Sequence, residues 1–374
     1  MRSYTMGRVW GIPIRINISL LVFLPILAYL IGSGNQIAVY ADIIEGLAPV
    51  TIDASELAGQ RWTVGILAAL GLFVSVGIHE LGHSWVAMRY GIQVESITLW
   101  ILGGLASFTQ MPKEWNREFW IAIAGPITSF LVAGVCLAGL SVVPVSAPVV
   151  VFVVGWLAVT NVVLAVFNLL PAFPMDGGRI LRAVLASWLS YTTATRVAAR
   201  IGTIFAVVFA IVGVLAFSPI LFLLAFFIYG AATSESKMVV LSELLADLSV
   251  GDLVTAVDPV DADDSLEDLF PRLLSARRTD LPVVDASGTV VGAVTATAMR
   301  NVDTDAYATT RVADLVTGDV PRLDAEMPAF DALVELSQSG VDVALVERDG
   351  AVRGVVSQSD FAAALDVRRG QQPF

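Results

Sequence analysis

The spacing of apolar and polar positions divides the chain in two. Through residue 233, long uncharged stretches alternate with short polar ones; beyond it, apolar residues come in brief runs between turns rich in Asp and Gly. A helix rises about 1.5 Å per residue, so about 20 apolar residues cross the hydrocarbon of a bilayer. The first half offers six such spans: 16–31 (interrupted by Pro25), 63–90, 119–141, 149–170, 201–217 and 219–233. The last two are short and are separated by the turn Ser218-Pro219. The second half is a repeat. With a shift of 62 residues and no gap, Asp252-Leu253-Val254 falls on Asp314-Leu315-Val316, Gly288 on Gly350 and Gly292 on Gly354. Each copy predicts a strand, a helix, two strands about a Gly turn, and a second helix. The expected fold is a polytopic α-helical membrane protein with about six transmembrane helices, followed by a soluble α/β tandem pair. The expected domains are 1–233 in the membrane, a linker 234–248, a first repeat 249–306, and a second repeat with its tail 307–374.

Composition agrees with this. The chain is 56% hydrophobic, with a mean hydropathy of +0.77, as an integral membrane protein is. Residues 1–233 carry 11 basic and 9 acidic side chains; residues 234–374 carry 11 and 25. So acidic a soluble half excludes nucleic acid as a partner, because it repels phosphate. Arg2, Arg8 and Arg15 precede the first span. Arg89, Lys113 and Arg117 lie between the second and third, and Arg179, Arg182, Arg196 and Arg200 between the fourth and fifth. The alternate loops, 33–62 and 142–148, hold Arg61 alone. The positive-inside rule then places both termini and the repeat pair in the cytoplasm of a multi-pass cell-membrane protein. No small-residue cleavage site follows the first apolar run, which is therefore read as a span and not as a leader. The lone Cys136 excludes an intrachain disulfide.

One span carries chemistry. His79 and His83 are the only histidines, four residues apart with Glu80 between them, and 64–78 before them is uncharged. On a helix the two imidazoles share one face, where they can hold one Zn²⁺ while Glu80 acts as general base on a water the metal polarises. Ionisable groups in such a segment are costly and mark function. A third ligand is needed, and between Glu118 and Glu235 the one acidic residue is Asp176. It follows Asn168-Leu-Leu-Pro171-Ala-Phe-Pro174-Met, in which the prolines break the fourth span. Gly177 and Gly178 permit a tight turn that would aim its carboxylate inward. The alternative is an ordinary loop exit with Asp176 as a turn or helix-cap residue. Apart from this site, charge in the bundle is expected only at span ends.

With these residues the membrane half resembles the site-2 protease family of intramembrane zinc metalloproteases. The resemblance rests on His79-Glu80-x-x-His83, on Ala124-Gly125-Pro126 in the third span, and on Asn168-x-x-Pro171-x-x-Pro174-x-Asp176-Gly177. It implies one zinc per chain bound by His79, His83 and Asp176, water activation by Glu80, and single-pass transmembrane proteins as substrates, cleaved within or near the bilayer. Ser129 stands where the family often has Asn, which weakens any role assigned to that position. The segment 95–106, with Gly103-Gly104, is too short and too rich in β-formers for a span. It reads as a re-entrant strand or hairpin whose edge pairs with an unwound substrate, or else as an interfacial loop. Asn168 reads as a donor to the developing oxyanion, or as an amide that packs helices together.

The repeat pair resembles tandem CBS domains, which implies an adenine nucleotide, ATP or AMP, as regulatory ligand. Gly354-Val-Val-Ser357-Gln-Ser-Asp360 supplies the expected hydroxyl and carboxylate; the first copy has Gly292-Ala-Val-Thr295-Ala-Thr-Ala298, lacking the acid. At most one good nucleotide site is expected, at Gly354, Ser357 and Asp360; the alternative is a purely structural pair, or one that makes a homodimer. The function implied is zinc-dependent intramembrane proteolysis under nucleotide control. A CBS-bearing channel or transporter has no use for His79-Glu80-x-x-His83, and an inactive membrane-protein binder would be expected to lack Glu80 or Asp176.

Overall fold

The computed structural model describes residues 3–371 apart from 102, 109–111, 113, 255–257, 277–279, 301 and 317–319; Arg2 and Lys113, used above to orient the bundle, lie outside the described residues. The chain forms two compact units, Met1–Ser236 and Lys237–Phe374.

The first unit begins with strands β1 (Ser3–Val9) and β2 (Ile12–Asn17), then helices α1 (Ile18–Ile31), α2 (Gly34–Leu47), α3 (Ala54–Ala58) and α4 (Arg61–Arg89). Strands β3 (Val94–Trp100) and β4 (Gly103–Phe108) follow. Helices α5 (Trp115–Leu140), α6 (Pro148–Asn168), α7 (Asp176–Ala186), α8 (Tyr191–Leu215) and α9 (Pro219–Leu244) complete it. Among the described residues α4, α5, α6, α8 and α9 are long and apolar enough to cross a membrane. The expected first span is different. Its 14-residue helix α1 rises only about 21 Å, and Ile18–Ile31 meets Asn35–Leu47 at a 71° bend, so the two make a sixth span only if taken as one broken one. The fifth span starts earlier than its apolar run: α8 takes in Arg196 and Arg200.

Small residues let the helices approach. A Cβ on Gly65 would stand 2.0 Å from the Ala28 carbonyl oxygen of α1, and one on Gly82 2.3 Å from Thr128 Oγ1 of α5. Such contacts are how apolar helices associate where lipid is as apolar as the partner. Ala28, Ile44, Ala68, Phe152 and Trp156 join α1, α2, α4 and α6 in one core.

The basic start of the chain is a hairpin, which was not expected. Its turn places Trp10 and Gly11 at positive φ, 52° and 83°, the pair of left-handed residues that a two-residue hairpin turn demands. The sheet order is β1-β2-β3-β4; β2 runs parallel to β3, and the other neighbours are antiparallel. Ile12, Ile14 and Ile16 alternate along β2 and pack with Phe73 and Val76 of α4 and with Ile97 and Leu99 of β3. The segment 95–106 is thus part of an antiparallel strand pair, β3 and β4, with β4 as an outer strand.

The second unit holds α10 (Val250–Leu253), β5 (Val260–Asp261), α11 (Leu266–Ala276), β6 (Asp280–Val284), β7 (Val290–Thr295) and α12 (Ala296–Met299). The second copy is β8 (Arg322–Asp324), α13 (Ala329–Ser339), β9 (Val343–Arg348), β10 (Ala351–Ser357) and α14 (Gln358–Gln371). The two sheets, β5-β6-β7 and β8-β9-β10, share one topology: a parallel pair, then an antiparallel one. The 62-residue offset holds in detail. Gly288 and Gly350 have φ of 79° and 75°, and the Asp252 carboxylate that accepts from the Ser249 nitrogen recurs as Asp314, which accepts from the Arg311 nitrogen. The copies also interlock. Val250 and Leu253, from the start of the first copy, pack with Leu323, Leu336, Val346 and Phe361 of the second, while Val312 and Leu315 join the core of the first.

The crossing of α1 and α4 yields a test. The Gly65→Val side chain would meet a backbone carbonyl that cannot swing aside. Overpacking of this kind costs about 1–3 kcal/mol, so the purified protein should unfold at a clearly lower temperature than wild type; an unchanged midpoint would mean the crossing is loose.

Candidate metal centre

Helix α4 brings His79 and His83 to one face, with their Nε2 atoms 3.1 Å apart. Asp176, the first residue of α7, places Oδ2 3.2 Å from each. All three are buried. Their outer ring nitrogens are held from behind: His83 Nδ1 donates to the Ile121 carbonyl at 2.7 Å, and His79 Nδ1 meets Ser129 Oγ at 2.9 Å. A carbonyl only accepts, so His83 carries its proton on Nδ1 and turns the Nε2 lone pair to the centre. The three donor atoms form a triangle that a tetrahedral zinc fits: ligands about 2.0–2.1 Å from the ion lie about 3.3 Å from one another. His79, His83 and Asp176 are such a group, two imidazoles and one carboxylate, the borderline donors zinc accepts.

The surroundings are shaped to leave room. A Cβ on Gly125 would stand 2.2 Å from His83 Nε2 and 2.6 Å from His79 Nε2, so α5 can pass the centre only as glycine. Helix α6 ends at Asn168, and the loop after it buries Ala172, Phe173 and Met175 within the protein. Irregular backbone at membrane depth requires such cover. Gly177 and Gly178 lie inside α7 and do not make the turn that was expected. They let α7 pack on that loop: a Cβ on Gly177 would lie 2.2 Å from the Leu170 carbonyl oxygen, and one on Gly178 2.7 Å from the Phe173 nitrogen. Glu80 points at the outer strand β4, where a Cβ on Gly104 would stand 2.8 Å from its Oε1.

One expectation, about amides, changes, and the charge that flanks the spans proves to be partly buried. Arg182 of α7 and Glu118 of α5 are both buried and paired, and a second Arg182 nitrogen pairs with Glu235 of α9. Burial works against the guanidinium charge, but the neighbouring Glu118 and Glu235 carboxylates outweigh it and hold Arg182 above its ordinary range. Asn168 donates to the Leu164 carbonyl at 3.0 Å, closing the end of α6. The amide that joins helices is Asn161, wholly buried, which donates to Ser75 Oγ of α4 at 2.9 Å. Ser129, which sequence comparison discounted, is the His79 partner. In the second unit, Asp360 caps α14 by accepting from the Ser357 nitrogen and Oγ at 2.8 and 2.9 Å. Thr295 caps the equivalent helix start alone, accepting from the Ala298 nitrogen.

Comparison with known proteins bears on these features. Residues 67–147 and 144–213 match the model of peptidase family M50, and residues 250–303 and 312–367 match that of the CBS domain. A zinc metalloprotease of Methanocaldococcus jannaschii is 30% identical over 372 residues, covering 98% of this chain and 96% of that protein. Rip3 of Mycobacterium tuberculosis is 32% identical over 386 residues, covering 98% and 94%. The solved site-2 protease of M. jannaschii is 35% identical, covers 63% of this chain and 95% of its own, and superposes with a TM-score of 0.43.

The geometry predicts a graded response to mutation. His83→Ala removes a ligand and should abolish high-affinity zinc binding in the purified protein. Ser129→Ala leaves all three ligands but frees the His79 ring, and should weaken zinc by about 10–100-fold in a chelator competition. Wild-type affinity in Ser129→Ala would mean that its hydroxyl does not orient the ring.

Proposed function

The chain belongs to peptidase family M50, the site-2 protease family of zinc metalloproteases, with CBS domains in its second half; from that premise we propose that it is an intramembrane endopeptidase acting on single-pass membrane proteins. The reading is carried by one observation: a buried His79-His83-Asp176 triangle on helices of an apolar bundle, with Glu80 one residue from His79 and facing the outer strand of a sheet.

When bound, zinc supplies Lewis-acid polarisation of the attacking water and of the scissile carbonyl. The protein does the rest. His79, His83 and Asp176 hold the ion, with Ser129 and the Ile121 carbonyl fixing the ring orientations. Glu80 takes a proton from the water as its oxygen bonds to the carbonyl carbon, then returns it to the amine as the C–N bond breaks. A transmembrane helix hides its peptide bonds, so the substrate must first unwind. Strand β4 offers it a partner: a segment added at this outer strand recovers backbone hydrogen bonds and passes beside Glu80. Asn168 is suited to assist at the oxyanion only if its amide also donates away from Leu164. Basic loops orient the bundle with both termini and the CBS pair in the cytoplasm.

The CBS pair is read as a sensor of an adenine nucleotide, ATP or AMP, at Gly354, Ser357 and Asp360. Asp360 and Ser357 stand together at the start of α14, and the first copy has Ala298 in the matching place.

Two outcomes test this. Glu80→Gln keeps the shape and removes the base: zinc content should be retained while cleavage of a transmembrane substrate in proteoliposomes falls by about 10²-fold or more. Near-normal cleavage would assign the proton to another group. Asp360→Ala in the full chain should weaken ATP or AMP binding at least about tenfold with zinc content unchanged. If the wild-type chain binds neither nucleotide, the pair is a structural or dimerising module.

A further inference from the structure

The buried ion-pair cluster of α7 lies outside the catalytic chemistry, yet it sits on the helix that carries a metal ligand. Arg182 is six residues after Asp176 on α7 and has almost no exposed surface. Its Nε and Nη2 both donate to Glu118 Oε1 of α5, and its Nη1 donates to Glu235 Oε1 of α9. The guanidinium carbon also lies 5.1 Å from the ring centre of Phe173, in the loop that leads into Asp176, and 4.9 Å from that of Tyr191 at the start of α8. One side chain therefore meets three helices and the loop beside the metal centre. A planar fork on two carboxylates fixes both the rotation and the height of the helix that bears it, as a point charge on a flexible stem cannot.

The pairing with α9 is the informative one. Glu118 alone neutralises the charge, so electrostatics does not require a second carboxylate. Helix α9 continues without a break from Pro219 to Leu244. The next residue, Leu245, is buried in the core that holds Phe361, directly after Asp360. Within the first unit, Glu235 is where α9 holds α7.

We propose that Arg182 is a positioning residue through which α9, by way of Glu235, sets the place of Asp176 in the metal centre. The proposal rests on the zinc reading given above. Its test is the affinity of the purified full-length chain for zinc, together with the visible spectrum of its cobalt-substituted form, which reports ligand geometry directly. Glu235→Gln keeps the shape of the side chain and leaves Arg182 paired with Glu118. It should weaken zinc about tenfold and shift the cobalt bands; Arg182→Lys, which keeps the charge and loses the fork, should do the same. Gly65→Ala, destabilised at the remote α1 crossing, should keep both readouts at the wild-type value, which separates positioning from general loss of stability. If Glu235→Gln does not fold, Glu235→Asp, with the charge kept and the reach shortened, is read in its place. Zinc affinity and cobalt bands equal to wild type in a folded Glu235 variant would overturn the proposal alone, whereas a wild-type chain that binds no zinc would overturn the metal reading beneath it.

Discussion

Three polar atoms must meet within about one ligand–ligand distance inside a bundle that has no water to spare for them. His79 Nε2, His83 Nε2 and Asp176 Oδ2 do so at 3.1–3.2 Å, and much of the membrane half follows from that requirement. Two of the donors come from one turn of α4, so the third must arrive from elsewhere in the chain. It can arrive only if α6 stops short, which Pro171 and Pro174 ensure, and if α7 starts against the loop that results, which Gly177 and Gly178 permit. Helix α5 crosses the same space and yields it at Gly125. Each of these residues is small or helix-breaking because a neighbour's polar atoms need the room.

The same constraint explains where polar groups lie around the centre. A buried imidazole with one nitrogen directed at a metal must satisfy the other, and α5 supplies both partners: Ser129 Oγ and the Ile121 carbonyl. A buried guanidinium must likewise be paired, because removing one partner of a desolvated pair leaves the other uncompensated. Arg182 meets Glu118 and Glu235. The sheet adds the complementary feature. Its outer strand β4 passes Glu80 closely enough that Gly104 cannot carry a side chain. The proposed base and the outer strand proposed to receive an extended peptide are therefore adjacent.

Much of this was legible in the sequence because its signals are local or periodic. The His79-Glu80-x-x-His83 spacing, the proline breaks before Asp176 and the 62-residue repeat each require only a few positions at fixed offsets. What was not legible depends on residues distant in the chain. Nothing near Ser129 marks it as a partner of His79, 50 residues away. Arg182 read as one more basic loop residue because its carboxylates are 64 and 53 residues away. The N-terminal hairpin was masked by its arginines, although Ile12-Pro-Ile14-Arg-Ile16 alternates as a half-buried strand does. Apolar length overstated the first span, where Gly32 and Ser33 turn the chain, and understated α8, whose basic first turns are helical all the same. The interlocking of the two repeats could not appear in a self-alignment, which finds equivalent segments and not the core each one joins.

The central claim is that one zinc is held by His79, His83 and Asp176. Zinc K-edge X-ray absorption on the purified full-length chain tests it most directly. The account predicts about one zinc per chain, four-coordinate, with nitrogen and oxygen neighbours at about 2.0–2.1 Å, imidazole scattering from two rings, and no sulfur. A sulfur shell at about 2.3 Å, scattering from fewer than two imidazoles, or no bound zinc would contradict it.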